Sequence, residues 1–157
     1  MKKIISIGAA FALILTSSIS AAEATGIPGD SKSPHVVGGR SYPDYPAWRA
    51  FHDFDVHVEG EAILELSIQL PPVRVKGIEV SSQSGEKIEA TTSVKGGTAT
   101  VVFSKPIAAG TLLTISVLEV ETSMNANNYI YRVYAKKMGQ SSGIKVGTAN
   151  IQTLPRW

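Results

Sequence analysis

The chain of 157 residues contains no cysteine, which excludes disulfides, a thiol nucleophile and thiolate metal ligands. It has 15 Lys and Arg against 13 Asp and Glu, but two lysines lie in the first 22 residues, so 13 charges of each sign remain beyond them. A neutral chain without a basic run is not expected to bind nucleic acid, and it offers no polybasic patch to a membrane surface.

The first 22 residues have the three parts of a secretory signal peptide. Lys2 and Lys3 form the positive region, residues 4–15 form an uncharged apolar run, and the small residues that follow fit cleavage after Ala22. The apolar run is too short to span a membrane, which takes about 20 residues. The sequence therefore predicts an exported protein, periplasmic or secreted, with no membrane span after processing.

Two further regions follow the leader. Residues 23–33 are rich in Gly, Pro, Ser and Ala and show no apolar period, so we interpret them as a flexible arm. Residues 34–157 are enough for one domain with one core, since a domain of this size buries about two-thirds of its unfolded surface.

Aromatic residues recur at every third position between residues 42 and 54, in a segment that also contains two prolines. They are Tyr42, Tyr45, Trp48, Phe51 and Phe54. If exposed, they would form a platform for sugar rings or for a protein partner. The alternative, which the prolines and charges of the segment favour, is a loop that covers one end of the domain.

Potential metal ligands are dense only in the segment from His52 to His57. On a strand, Asp53, Asp55 and His57 would share one face, and His52 would lie on the other. Carboxylates and imidazoles together suit zinc, copper or manganese, so one hypothesis is a periplasmic metal-binding protein that uses this segment. The alternative is an edge strand whose polar face is solvated. His35 is a further imidazole, far away in sequence.

The clearest strand is predicted at residues 62–70, where apolar and polar residues alternate. Four apolar residues point one way, Leu64, Leu66, Ile68 and Leu70, and the polar residues between them are Glu65, Ser67 and Gln69. Prolines 71 and 72 end the strand, because proline cannot donate a ladder hydrogen bond. Further strands are predicted at residues 76–81, 86–92, 98–103, 111–120, 128–136 and 144–153.

Two details qualify this pattern. Residues 105–110 are interpreted as a loop because they contain Pro106 and Gly110. In the strand at residues 111–120 the alternation slips at Leu118 and Val120, which a β-bulge or burial on both sides would explain.

Seven or eight short strands at about ten-residue spacing, joined by turns with Gly and Pro, predict an all-β fold. We expect an antiparallel, immunoglobulin-like sandwich of two sheets, with a closed barrel as the alternative. Beyond the leader, no stretch has the apolar period of a helix.

Catalytic motifs are absent: the chain has no G-x-S-x-G, S-x-x-K, H-E-x-x-H, Walker loop or G-x-G-x-x-G. Glycosidase chemistry would need two facing carboxylates, and Glu59, Glu61 and Glu65 are available for it. A small envelope hydrolase therefore stays as a second alternative function.

Four segments also occur in a characteristic order. They are an amphipathic strand that ends in proline (62–71), a strand with a proline loop and Gly-Thr (102–111), an aromatic strand (129–135), and a closing Gly-Thr-Ala (147–149). In this order, over about residues 34–153, they resemble an uncharacterised family of exported cyanobacterial proteins, domain of unknown function 2808. The resemblance implies an export signal and a β domain, and it supplies no catalytic residues.

Together these patterns favour an exported, non-enzymatic β-sandwich that needs no cofactor and binds an envelope protein or a glycan. The aromatic residues Tyr42, Tyr45, Trp48 and Phe51 are the candidates for that contact, and His52, Asp53, Asp55 and His57 are those for a metal.

Overall fold

The structure is a computed structural model that describes residues 32–155, so the signal peptide predicted at residues 1–22 lies outside it. Of the arm predicted at residues 23–33, only the last two residues are described. The described chain folds into nine strands, whose bounds are β1 His35–Tyr42, β2 Ala50–His57, β3 Ile63–Gln69, β4 Gly77–Ser82, β5 Ala90–Lys95, β6 Thr98–Ile107, β7 Leu112–Val120, β8 Asn128–Lys137 and β9 Ile144–Gln152.

The strands form two antiparallel sheets, with orders β1-β2-β7-β4 and β5-β6-β3-β8-β9. The predicted antiparallel, immunoglobulin-like sandwich is confirmed, but it has nine strands rather than seven or eight. Prediction missed β1, because Gly38 and Gly39 interrupt its apolar residues and most of its side chains are exposed. An edge strand of this kind has little alternation to detect.

The core lies between the sheets and is built from alternate residues of the strands. In β3 the predicted alternation holds for Leu66 and Ile68, which are fully buried. It fails at Leu64, which is only half-buried, because the pairing of β3 with β8 shifts register between Ile63 and Glu65. The bulge turns Ile63 into the core instead.

A second bulge explains the slip that the sequence shows near the end of β7. Ala50 of β2 pairs with Val120, while His52 pairs with Val117, so β7 has one residue more than its partner. Glu119 lies in this bulge with a φ of 45°, a conformation that costs most residues energy. Of the two explanations for the slip, the bulge is the one found.

Two predicted boundaries are wrong. The loop expected at residues 105–110 begins later, because β6 continues through Pro106 to Ile107, which pairs with Ile63. The strand expected at residues 86–92 is β5, which begins only at Ala90. Most of β5 is exposed on both faces, so burial sets no clear period there.

The strand directions define two ends of the sandwich. One end includes the 43–49 loop between β1 and β2, the 121–127 loop between β7 and β8, and residues 153–155 after β9, together with the connection between β3 and β4 and the turn between β5 and β6. The opposite end includes the turn between β2 and β3 and the loop that follows β8. The candidate functional site lies at the first of these two ends.

Candidate functional site

The alternation predicted for the metal-ligand segment is found in β2. Asp53, Asp55 and His57 lie on the outer face of the four-stranded sheet, and His52 points into the core. Arg40 of β1 lies 3.7 Å from a carboxylate oxygen of Asp53 and 3.4 Å from one of Asp55. The two carboxylates therefore have a cation partner within the chain itself.

The imidazoles are not gathered with these carboxylates into one site. His57 Nε2 lies 3.1 Å from an oxygen of Glu59, and the ring of His35 stands edge-on to that of His57, 5.2 Å between centroids. Strand pairing thus brings His35 beside His57. This contact could not be predicted from the sequence, in which the two residues are far apart. Within residues 32–155, no group of three or more His, Asp or Glu side chains is arranged to hold a metal ion.

His52 is fully buried beneath the end of the sandwich that carries the 43–49 and 121–127 loops. Its Nδ1 lies 2.6 Å from the hydroxyl of Tyr131, while its Nε2 has no hydrogen-bond partner among residues 32–155. Burial lowers the pKa of His52 to about 4, and burial also raises the pKa of Tyr131. Both groups are therefore neutral, and this buried position suits packing rather than metal binding.

The three carboxylates considered for hydrolysis have separate neighbours. Glu59 pairs with His57, and Glu61 lies 3.8 Å from Nζ of Lys137. Glu65 lies on the outer face of the five-stranded sheet, opposite Lys136 of β8.

The structure exposes three of the five aromatic residues. Tyr42, Trp48 and Phe51 have exposed fractions of 54%, 68% and 47%, while Tyr45 is half-buried and Phe54 belongs to the core. Tyr42 and Phe51 are directly paired across β1 and β2, and the 43–49 loop joins their strands. The predicted covering loop is therefore wrong for these three side chains, which face solvent.

Two further exposed apolar residues lie at the same end of the sandwich. Met124 belongs to the 121–127 loop, and Leu154 follows β9. We call Tyr42, Trp48, Phe51, Met124 and Leu154 the apolar end. Its five residues are half of the ten large hydrophobic side chains that are exposed in the described part of the chain.

Hydrogen bonds tie the three segments of the apolar end together. The Thr122 hydroxyl donates to the carbonyl of Ala47, and the Leu154 amide donates to the carbonyl of Asp44 at 2.9 Å. The Ser123 amide donates to the hydroxyl of Tyr129 at 3.0 Å. Because Tyr129 is itself a core residue, the loop that carries Met124 is anchored to the core.

Charged residues flank the apolar end on the β4 and β7 side. Glu119 accepts hydrogen bonds from Lys76 at 2.5 Å and from Arg49 at 3.0 Å, and the bond from Lys76 lowers its pKa. Arg74 and Glu121 lie 3.9 Å apart beside them. An apolar centre with a polar margin is the usual arrangement of a protein contact surface.

Sequence reasoning found Tyr42, Trp48 and Phe51 but not Met124 or Leu154. The aromatic residues form a visible period in one segment, whereas single apolar residues in two distant loops give no signal. Only the folded structure, through its strand order and the hydrogen bonds between the segments, shows that these parts of the chain meet.

No helix in residues 32–155 is long and apolar enough to cross a membrane. No family model and no curated protein matches the chain.

Solved structures share the fold at low sequence identity. BslA, a bacterial hydrophobin, has a TM-score of 0.54 and 12% identity, over 82% of this chain and 99% of its own. The N-terminal domain of the Streptococcus gordonii adhesin Sgo0707 has a TM-score of 0.51 and 12% identity, over 78% of this chain and 32% of that one. A collagen-binding domain from a Staphylococcus aureus adhesin is more distant, with a TM-score of 0.42 and 9% identity over 76% of this chain and 95% of its own.

Proposed function

We propose that this chain is an exported, non-enzymatic binding module that attaches to an envelope or extracellular partner through its apolar end. The observation that carries the proposal is the meeting of Tyr42, Trp48, Phe51, Met124 and Leu154 at one end of the sandwich, all exposed. The part of the partner that it contacts is expected to be an apolar surface.

The composition of the apolar end supports a contact role. Leaving apolar side chains in water costs about 25 cal/mol for each Å² that a partner could cover. Trp and Tyr are the residues that most often dominate binding energy, and the flexible side chain of Met adapts to different surfaces. Isolated exposed hydrophobics are ordinary, but their concentration at one end of a soluble fold marks interaction sites.

The anchoring of the loops supports the same role. Bonds from Thr122 to Ala47 and from Leu154 to Asp44 fix the three segments relative to one another. A surface that is already ordered loses less conformational entropy when it binds. Two solved structures with this fold are named as a hydrophobin and as an adhesin. Their names further support a function in surface contact rather than in catalysis.

The test is adsorption of the purified protein to alkyl-coated and hydroxyl-coated sensors. We expect binding to the alkyl surface only, and about tenfold or greater loss of affinity in Trp48→Ser, because losing a central aromatic contact costs about 2 kcal/mol.

Two exposed methionines at opposite ends supply a matched control for this test. Met124 belongs to the apolar end, whereas Met138 follows β8 at the other end. Met124→Ser should weaken adsorption, and Met138→Ser should leave it unchanged. Equal effects of the two substitutions, or equal binding to both sensors, would refute the proposal.

A further inference from the structure

A row of polar side chains lies on the outer face of the five-stranded sheet. Its central strands β3 and β8 pair Glu65 with Lys136, Ser67 with Tyr134, and Gln69 with Arg132. All six side chains point away from the core, because the residues between them are buried. We call these six residues the polar row.

The polar row has hydrogen-bonding capacity that the protein does not use. None of its six side chains makes a hydrogen bond or an ion pair within residues 32–155. The outer face of the other sheet differs: there Arg40 pairs with Asp53 and Asp55, and Thr114 donates to Asp55 at 2.7 Å. The donors and acceptors of the polar row are therefore available to a ligand.

The polar row forms the floor of a groove. One hollow of about 480 Å³ lies over Glu65, Ser67 and Tyr134, with the loop after β8 as its wall. A second hollow of about 640 Å³ runs past Arg132 to residues 70–74. Gln69 lines both hollows, so they adjoin at this residue. The β3 part alone is about 13 Å long, at 3.3 Å for each residue, which accommodates an extended chain.

The groove does not suit the common modes of peptide binding. Strands β3 and β8 are paired on both sides, so they present no free edge to which a peptide strand could add. A helix or a proline-rich segment would need a groove lined with apolar or aromatic residues along its length. Here the floor at Glu65, Ser67 and Gln69 is polar, and apolar side chains line only the far part of the second hollow, at residues 70–73. Side chains alone must recognise the ligand.

Charge narrows the class of ligand further. Lys136 and Glu65 are opposite each other in register, so their opposite charges lie side by side although they form no ion pair. Arg132, which lines the second hollow, has no anionic partner in the described chain. Arg74, which lies 3.9 Å from Glu121, adds a second cation where the second hollow reaches the end of the sandwich. A planar guanidinium is suited to a carboxylate, which it binds with two parallel hydrogen bonds.

We propose that this groove binds an acidic polysaccharide, a chain of sugar units that bear carboxylates. Arg132 binds a uronate carboxylate, and the ring of Tyr134 packs against the apolar face of a sugar. Ser67, Gln69 and Glu65 hydrogen-bond the hydroxyl groups. The polar row itself lies on the outer face of the five-stranded sheet, and only the far part of the second hollow reaches the end of the sandwich that carries the apolar end. The proposal does not depend on the function proposed for the apolar end.

Titration calorimetry with oligogalacturonate, oligoalginate and hyaluronan oligomers tests the proposal, with methyl-esterified oligogalacturonate as the uncharged control. We expect at least one acidic oligomer to bind at or below about 1 mM, and the methyl ester to bind about tenfold more weakly. Affinity should fall as salt increases, because an exposed ion pair is screened.

Variants assign the binding to the groove. Arg132→Gln and Tyr134→Ala should each weaken binding about tenfold, since one removes the charged contact and the other the sugar platform. Arg49→Gln makes the same charge change at the apolar end and should have no effect, as should Trp48→Ser. Circular dichroism checks that each variant is folded.

Four results would overturn the proposal, and the first three concern the groove itself. They are failure of all three acidic oligomers to bind, unchanged affinity in both groove variants, and an oligoglutamate that binds as tightly as the sugars. The last would mean that the groove recognises charge on a peptide rather than a saccharide. Loss of sugar binding in Trp48→Ser would likewise place the site elsewhere.

Discussion

At the scale of single residues, His52 has an environment that its sequence neighbours do not reveal. It is fully buried and hydrogen-bonded to Tyr131 through Nδ1, and within the part of the chain that the structure describes its Nε2 has no partner. Its ring lies 4.8 Å from that of Tyr129, which also bonds the 121–127 loop. The histidine thus belongs to the packing that supports the apolar end.

Burial of His52 predicts that acid destabilises the protein. The pKa of His52 is about 4 in the folded state against 6.5 without burial, so between these values the unfolded chain takes up a proton that the folded chain does not. Stability therefore falls as pH decreases through this window, with a loss of about 2 kcal/mol between pH 7 and pH 5. Well above pH 6.5 the group contributes almost no pH dependence, since it is then neutral in both states.

Urea unfolding of the wild type and of His52→Gln, at both pH values, measures this effect. Glutamine keeps a polar side chain but does not titrate, so the variant should lose about 2 kcal/mol less stability than the wild type on acidification. If the free energy of unfolding fell by the same amount in both proteins between pH 7 and pH 5, His52 would not titrate as described.

Prediction from sequence worked at this scale where a side chain's direction follows from alternation alone. It placed His52 opposite Asp53, Asp55 and His57, as found. It could not supply the partners, because Arg40 and Tyr131 are fixed by strand pairing and sheet packing. Those partners favour a packing role for the segment over a metal site.

At the scale of elements, the turn between β2 and β3 packs closely against the backbone of Lys32. Gly60 has a φ of 75°, and a Cβ there would collide with the backbone oxygen of Lys32. Gly110 has a similar φ of 88° but open space around it. A comparison of alanine substitutions at these two positions therefore separates the cost of a left-handed backbone conformation from the cost of a steric clash.

Alanine at these two positions should therefore have different costs. Gly110→Ala should lose about 1–2 kcal/mol of stability, the cost of a left-handed conformation. Gly60→Ala should lose about 1–3 kcal/mol more, because the backbone around Lys32 must also move. Urea unfolding compares them, and equal losses would mean that the start of the domain does not pack against the turn as the structure has it.

The elements themselves could be predicted only where burial gives a period. Strands β3, β7 and β8 were found because one face enters the core, and the bulge in β7 was visible as a slip of that period. Exposed strands β1 and β5 give weak patterns, so one was missed and the other was misplaced.

At the scale of the whole molecule, the sandwich has two surfaces with different chemistry. The apolar end gathers Trp48 and Met124 from two loops and Leu154 from the segment after β9, and the groove uses side chains from the centre of one sheet. Sequence reasoning identified the fold and the aromatic part of the apolar end, but not the loops that meet there or the groove. The signal peptide and the resemblance to domain of unknown function 2808 remain predictions.

The central claim is that the apolar end is the surface in contact with the partner. Met124 and Met138 have exposed fractions of 66% and 53% and lie at opposite ends, so each reports on its own end in the unmodified protein. Peroxide oxidises exposed methionine to the sulfoxide, which mass spectrometry quantifies at each position. The measurement compares both oxidation rates in free protein and in protein adsorbed to an alkyl surface. The account predicts that adsorption slows oxidation of Met124 and leaves that of Met138 unchanged; equal protection of both residues, or protection of Met138 alone, would contradict it.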